Sequence, residues 1–185
     1  MTFRIAAFAG SLSRPSRTRA LVEQAAVRTA LRFGGTVAVH DLTELQPSLG
    51  QAASLDDLDA TARGIVDGIL AADVLIVGSP VYKGSYAGLF KHLFDLIDPA
   101  ALAGKPVLLT ATGGGDKHAL VIEHQLRPLF AFFEAAVLPT GVYAGGADFR
   151  DGQPAAPALL DRLDRAVAQF APFIDRSRPA LSHAA

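Results

Sequence analysis

The stretch Val74-Leu75-Ile76-Val77-Gly78-Ser79-Pro80-Val81-Tyr82-Lys83-Gly84-Ser85-Tyr86 decides the fold. An uninterrupted apolar run passes abruptly into a polar loop punctuated by Pro80 and Gly84. A run without polar alternation reads as a strand buried on both faces, as in a parallel sheet. The loop that follows such a strand lies at the carboxyl edge of an open α/β sheet, where ligands bind.

Two further junctions have the same form. Ala6-Ala7-Phe8-Ala9-Gly10-Ser11-Leu12-Ser13-Arg14-Pro15-Ser16-Arg17-Thr18 opens the chain, and Val107-Leu108-Leu109-Thr110-Ala111-Thr112-Gly113-Gly114-Gly115-Asp116 comes later. Working outward, the patterning predicts strands over 3–8, 36–39, 74–78, 106–112 and 137–142. Helices are expected over 16–33, 56–72, 87–97, 117–135 and from 158 to about 176. Residues 43–55, with Pro47 and Gly50, read as a long loop, 143–157 as a Gly/Pro/Ala-rich connection, and 177–185 as a frayed tail. Strands alternating with helices predict an α/β fold, one three-layer domain over 1–185 with a five-stranded parallel sheet of order 2-1-3-4-5. The first loop has no Gly-x-Gly-x-x-Gly, which argues against a dinucleotide-binding order. The loops after Ala9 and Gly78 then flank the switch point between the first and third strands.

Composition narrows the function. With 185 residues, half of them hydrophobic, the chain can build one full core. It has no cysteine, so disulfides, thiolate nucleophiles and Cys-ligated metals are excluded. A net charge of −1 gives no electrostatic case for a nucleic-acid partner. The start, Met1-Thr2-Phe3-Arg4-Ile5, runs straight into a strand pattern, and no apolar run approaches the roughly 20 residues of a membrane span. A cytoplasmic protein with no membrane partner is expected.

The first loop offers the hydroxyls of Ser11, Ser13, Ser16 and Thr18 with the charges of Arg14 and Arg17, stiffened by Pro15. It leads into a helix whose first amides lack partners and whose dipole favours an anion. No Gly-Lys-Ser/Thr follows, which excludes a triphosphate P-loop and leaves a monophosphate. The second loop can turn an apolar edge and backbone amides from Val81 and Tyr82 toward a flat ring, with Pro80 bending the chain, Lys83 for charge, and Ser85 after the turn. Gly113, Gly114 and Gly115 let backbone pass close to something flat and offer amides to a ring's carbonyl oxygens. His118 is expected to wall the site. These features together point to a phosphorylated planar ligand, and flavin mononucleotide (FMN) is the leading candidate.

The fourth helical segment stands apart. Pro128 lies inside a helical pattern and cannot donate to the carbonyl of His124, so a π-bulge or kink is expected over 123–127. Leu120, Val121, Ile122, Leu126, Leu129, Phe130, Phe132 and Phe133 make this segment apolar around most of its circumference, which predicts an oligomer face.

On these residues the chain resembles the NAD(P)H-dependent FMN reductases of flavodoxin-like fold, in particular the reductase components of alkanesulfonate and methanesulfonate monooxygenases. The carriers are Gly10-Ser11-x-x-x-Pro15-Ser16-Arg17-Thr18, the run from Ser79 to Tyr86, Ala111-Thr112-Gly113-Gly114, and the helix through His124 to Pro128. The resemblance implies that Ser11, Ser16, Arg17 and Thr18 hold the FMN phosphate. Pro80, Val81, Tyr82 and Lys83 would line the ring with Ser85 nearby, and Thr112, Gly113 and Gly114 would meet its far edge. Where relatives often carry Arg, this chain has Ser13, and Arg14 is the expected substitute. It implies a π-helix at a tetramer interface, where His124 replaces the usual Tyr, and hence a homo-oligomer, dimer or tetramer. NADPH or NADH would be the reductant and a flavin-dependent monooxygenase the partner. No protein side chain is assigned a catalytic role, since cofactor and nicotinamide carry the hydride. The alternatives are an FMN-retaining quinone, azo or metal-oxyanion reductase, and a one-electron carrier like flavodoxin.

Overall fold

The computed structural model describes residues 3–174, so the expected tail at 177–185 and the last residues of the final helix lie outside the described part. Strands β1 (Arg4–Ala9), β2 (Thr36–Asp41), β3 (Val74–Pro80) and β4 (Pro106–Thr112) pair in parallel. Two short strands, β5 (Ala136–Val137) and β6 (Val142–Ala144), both pair with β4. The order is β2-β1-β3-β4-β5, with β6 also beside β4, the doubly wound flavodoxin-like arrangement. The fifth strand is thus split rather than continuous. Pro139 cannot donate to a ladder, and at Gly141 a Cβ would come within 2.5 Å of Ile122 Cγ2, so the chain leaves the sheet between the two pieces.

Helices α1 (Arg17–Phe33), α5 (Pro157–Ala168) and α6 (Ala171–Ile174) cover one face, and α2 (Ala60–Ala71), α3 (Gly88–Asp95) and α4 (Arg127–Phe132) the other. Side chains alternate between the two cores with the period of two that strands impose. Ile5, Ala7, Ala9, Val74, Ile76 and Leu108 pack beneath α1 and α5, while Ala6, Phe8, Leu75, Val77, Val107 and Leu109 pack beneath α2, α3 and α4. The second core is aromatic: Phe90 lies 4.9 Å from Phe94, and Phe94 meets Phe130 edge-on at 4.8 Å between ring centroids.

Local chemistry sets the boundaries. Ser16 accepts from the Arg19 amide at 3.2 Å to start α1, and Gly34, at φ +79°, ends it. Residues 43–55 are ordered rather than loop-like, as short 3₁₀ turns at Leu42–Leu45, Ser48–Gln51 and Leu55–Asp57. Leu42, Leu45 and Leu49 are buried, and the three-residue step from Leu42 to Leu45 suits a 3₁₀ repeat. The helix expected to run to about 176 breaks after Ala168, because Pro172 cannot donate to that carbonyl. An Asp151-Gly152 turn joins β7 (Phe149–Arg150) to β8 (Gln153–Pro154) inside the Gly/Pro/Ala-rich connection. No described helix is long and apolar enough to cross a membrane.

Candidate functional site at the carboxyl edge

Parallel register brings the loops together. Ala9 pairs with Gly78, Pro80 with Thr112, and Thr112 with Ala144, so the loops after β1, β3, β4 and β6 leave the sheet side by side. The Gly10 amide donates to the Gly78 carbonyl at 2.7 Å, closing the sheet beneath them. Gly78 itself is required there, since a Cβ would meet Thr110 Oγ1 at 2.5 Å and Val22 Cγ1 at 2.6 Å, holding α1 off the sheet.

A cavity of about 240 Å³ opens at the start of α1, lined by Ser11, Ser13, Pro15, Ser16, Arg17 and Thr18 of the first loop, Pro80 and Tyr82 of the second, and Thr112 of the third. Of the expected residues, Ser11, Ser13, Ser16, Arg17, Thr18, Pro80, Tyr82 and Thr112 meet at this cavity, whereas Arg14, Val81, Lys83, Ser85, Gly113, Gly114, Gly115 and His118 lie outside its lining. No carboxylate lines the cavity, and one arginine does. Among the described residues, the Arg17 and Thr18 amides have no protein acceptor, as the first turn of a helix dictates. Ser11 and Thr18 are buried, and the Ser13 amide donates to Ser11 Oγ at 3.2 Å. The Arg17 guanidinium lies over the Phe149 ring, 5.7 Å from its centroid. Donors, one cation and a helix N-terminus with no negative charge among them suit a phosphate group.

Arg14 goes elsewhere. Its Nε donates to Thr43 Oγ1 at 2.9 Å and its terminal nitrogen reaches Asp41 at 3.3 Å. Asp41 is wholly buried at the end of β2, and a buried carboxylate must be paired. Arg19 completes the pairing, at 2.8 Å from Asp41 and 2.7 Å from Glu44, with Glu44 2.8 Å from His40. Burial pushes the Asp41 carboxyl up, but hydrogen bonds from Thr43 and Arg19 and the charge of Arg19 outweigh it and hold it below the usual range. The first loop is thus tied to the second strand through Arg14.

The second loop is a tight hairpin turn. Tyr82 and Ser85 exchange backbone hydrogen bonds of 2.9 and 3.1 Å, with Lys83 at φ +52° and Gly84 at φ +85° between them. This corrects the expected supply of amides. The Val81 amide donates to the Thr112 carbonyl at 2.8 Å and the Tyr82 amide to Ser85, so neither is free for a ring. Tyr82 is half-exposed beside the cavity, Val81 packs against the core, and Lys83 sits at the exposed tip outside the lining. Ser85 Oγ lies 3.1 Å from Gln125 Oε1. Buried Ser79 accepts from the Ala87 amide at 3.0 Å and so anchors the far end of the loop.

In the third loop the Gly113 amide donates to the Ala144 carbonyl at 3.1 Å, which also removes it from the expected donors. The Gly114 and Gly115 amides have no protein acceptor among the described residues. His118 is half-buried in a 3₁₀ turn, Asp116–His118, and lies outside the cavity lining. The helix expected from 117 begins later, at Val121.

The bulge is present as a π-helix over Ile122–Leu126. The Arg127 amide reaches back to the Ile122 carbonyl, and the helix continues through Pro128 into α4, so the wider π turn lies where the residue that cannot donate sits. His124 and Pro128 are exposed and line a groove of about 600 Å³ between α3 and α4, with Tyr86, Phe94 and Phe132. Phe132 is 70% exposed and Leu120 63%. Among the described residues no cluster of His, Asp or Glu could hold a metal ion.

Three residues escaped the sequence reading. Asp41 could have been found as an acid ending a strand, Gln125 only through its contact with Ser85. Tyr143 could have been found as a polar aromatic at the carboxyl end of an apolar strand.

The sheet order and its helices place the chain among the flavodoxin-like α/β proteins. Residues 3–149 match the family described as NADPH-dependent FMN reductase, and the chain belongs to that family. It is 45% identical over 171 residues to the FMN reductase (NADPH) of Pseudomonas aeruginosa, covering 92% of each chain. It is 46% identical over 170 residues to the NADH-dependent FMN reductase SfnF of Pseudomonas fluorescens, covering 92% of this chain and 91% of that one. The solved structure of an oxidoreductase from Corynebacterium diphtheriae superposes with a TM-score of 0.83 at 34% identity, covering 95% of this chain and 98% of that one.

Proposed function

We propose that the protein is an NAD(P)H-dependent FMN reductase that releases reduced FMN to a flavin-dependent monooxygenase, in the assimilation of sulfur from sulfonates. The observation that carries the reading is the carboxylate-free cavity at the start of α1, placed at the switch point between β1 and β3. Bound FMN supplies a ring that accepts hydride from the nicotinamide.

The residues present suit that group. Ser16, the Arg17 and Thr18 amides and the Arg17 charge would hold its phosphate, with Ser11 and Ser13 beside them. Pro80 and Tyr82 would bound the ring on one side. The Gly114 and Gly115 amides, free of protein acceptors, would donate to its polar edge. No side-chain acid or base is needed at this site. The site is open and Tyr82 is 53% exposed, which supports exchange of the flavin with solution rather than retention. The reading requires a pool of reduced nicotinamide nucleotide, so we place the protein in the cytoplasm. The groove beside His124, with Phe132 exposed at its rim, is assigned to a second copy of the chain, giving a dimer or tetramer.

The test uses protein purified free of flavin, under anaerobic conditions, with oxidation of NADPH and NADH followed against added FMN. Oxidation that scales with FMN while free reduced FMN accumulates is expected. Oxidation that stops at one equivalent of bound flavin would replace delivery with a resident cofactor serving a second acceptor. No oxidation at all would leave a one-electron carrier.

A further inference from the structure

A loop of three glycines has no side chains with which to anchor itself, and each glycine brings extra chain entropy. Gly113-Gly114-Gly115 is nonetheless held at both ends by β6. The Gly113 amide donates to the Ala144 carbonyl at 3.1 Å, and the Tyr143 phenol donates to the Gly115 carbonyl at 2.6 Å. The two tethers come from adjacent residues of one strand, itself paired to β4 at Thr110, Ala111 and Thr112. The loop is therefore fastened to the sheet that supports the rest of the site.

The fit between Tyr143 and the loop is mutual. A Cβ on Gly113 would collide with the Tyr143 hydroxyl, and no other atom stands in the way except those of the same ring. Gly113 is therefore glycine because the phenol occupies the space of its side chain. Burial, followed by the nearby Asp116 and Asp148 carboxylates, pushes the phenol above its usual range, so it stays protonated and able to donate at neutral pH. Asp148 is itself committed, accepting from the Gly145 amide at 2.8 Å.

We infer that Tyr143 is a positioning residue for flavin binding, holding Gly113–Gly115 in the form that presents the Gly114 and Gly115 amides to the ring edge. The inference rests on the FMN reading of the site. Without the phenol the loop has to be ordered by the ligand, and that ordering entropy is then subtracted from binding. Tyr143 acts on the ring end of the ligand, whereas Ser16 acts on the phosphate end. The two roles separate when the phosphate is removed.

The experiment measures FMN and riboflavin affinity by fluorescence quenching for the wild type, Tyr143→Phe and Ser16→Ala, with thermal unfolding followed alongside. Tyr143→Phe should weaken FMN and riboflavin alike, by about five- to tenfold, the worth of one hydrogen bond. Ser16→Ala should weaken FMN and leave riboflavin unchanged. If Ser16→Ala weakens FMN while Tyr143→Phe binds both ligands as the wild type does, the positioning role is wrong and the flavin site stands. Unchanged FMN affinity in both variants overturns the site itself. A Tyr143→Phe effect on FMN with none on riboflavin would also overturn the inference, because a loop acting on the ring cannot sense the phosphate. Gly113→Ala approaches the same loop from the other side and guards against a misfolded phenylalanine variant. It should weaken both ligands in the wild-type background and do less harm in the Tyr143→Phe background, where the colliding hydroxyl is gone. Equal harm in both backgrounds would count against the inference.

Discussion

The hydroxyls of Thr18 and Thr112 lie 2.7 Å apart in a buried contact, although 94 residues separate them along the chain. One belongs to the first turn of α1 and the other is the last residue of β4, so the bond joins the first loop to the glycine loop in the wall of the cavity. Neither threonine has another side-chain partner among the described residues, so each depends on the other for satisfaction.

Replacing one of these threonines strands the other. Thr18→Val or Thr112→Val should each destabilise the protein by about 1–3 kcal/mol, the cost of an unsatisfied buried hydroxyl. The double variant should cost less than the sum, since both polar groups are then gone. Chemical denaturation of the four proteins measures the coupling, and strict additivity would mean that the contact is not formed.

Ser16 caps α1, and in the apoprotein this role is read apart from the phosphate contact proposed for it. As the cap of α1 it should contribute about 1 kcal/mol to stability, lost in Ser16→Ala without any ligand present. Denaturation of flavin-free protein reads this directly. An unchanged midpoint would show that another group caps the helix.

The Asp41 cluster predicts acid sensitivity. The carboxyls of Asp41 and Glu44 are held below their usual range, opposed by burial and lowered by Thr43, Arg19 and His40. A depressed folded value means that the stabilisation is present above the ordinary carboxylate value of about 4 and is lost as pH falls below it. Asp41→Asn should cost about 1–3 kcal/mol at neutral pH by removing the charge-assisted bonds to Arg14 and Arg19, although Arg19 keeps Glu44 and Arg14 stays largely exposed, and should flatten the acid limb of stability against pH. Thermal unfolding between neutral and acid pH compares the two proteins. Parallel curves would show that Asp41 is not a source of the acid limb.

Phe132 tests the assembly. At 70% exposure it contributes little to the fold of one chain, so Phe132→Glu should leave the unfolding of a monomer almost unchanged. In sedimentation the wild type should run as a dimer or tetramer and the variant as a smaller species. A wild type that stays monomeric at every concentration removes the proposed face.

Much of this was readable from residue pattern. The strand at Val74 was legible because burial on both faces demands an unbroken apolar run, and the bulge at Ile122–Leu126 because Pro128 cannot donate. The ordered segment after Asp41 was not legible. Its turns are stabilised by burying Leu42, Leu45 and Leu49 and by His92, which contacts the Leu49 and Ala52 carbonyls at 3.1 and 3.0 Å, partners remote in sequence. The same holds for the amides of Val81, Tyr82 and Gly113. Their residue types are compatible with donating to a ligand, but pairing with Ser85, Thr112 and Ala144 uses them first.

The sequence by itself determined the α/β class and the hydroxyl-rich loop after the first strand, because these follow from local periodicity and from what each residue type can do alone, and the missing Gly-x-Gly-x-x-Gly pointed to the strand order that the pairing then showed. Only the tertiary structure decided which donors remain free. It turned Arg14 toward Asp41, set Tyr143 against Gly113, and joined Thr18 to Thr112. Hydrogen bonds saturate, so the availability of a group at a site depends on partners brought near it by the fold, and those distances are not local properties of the chain.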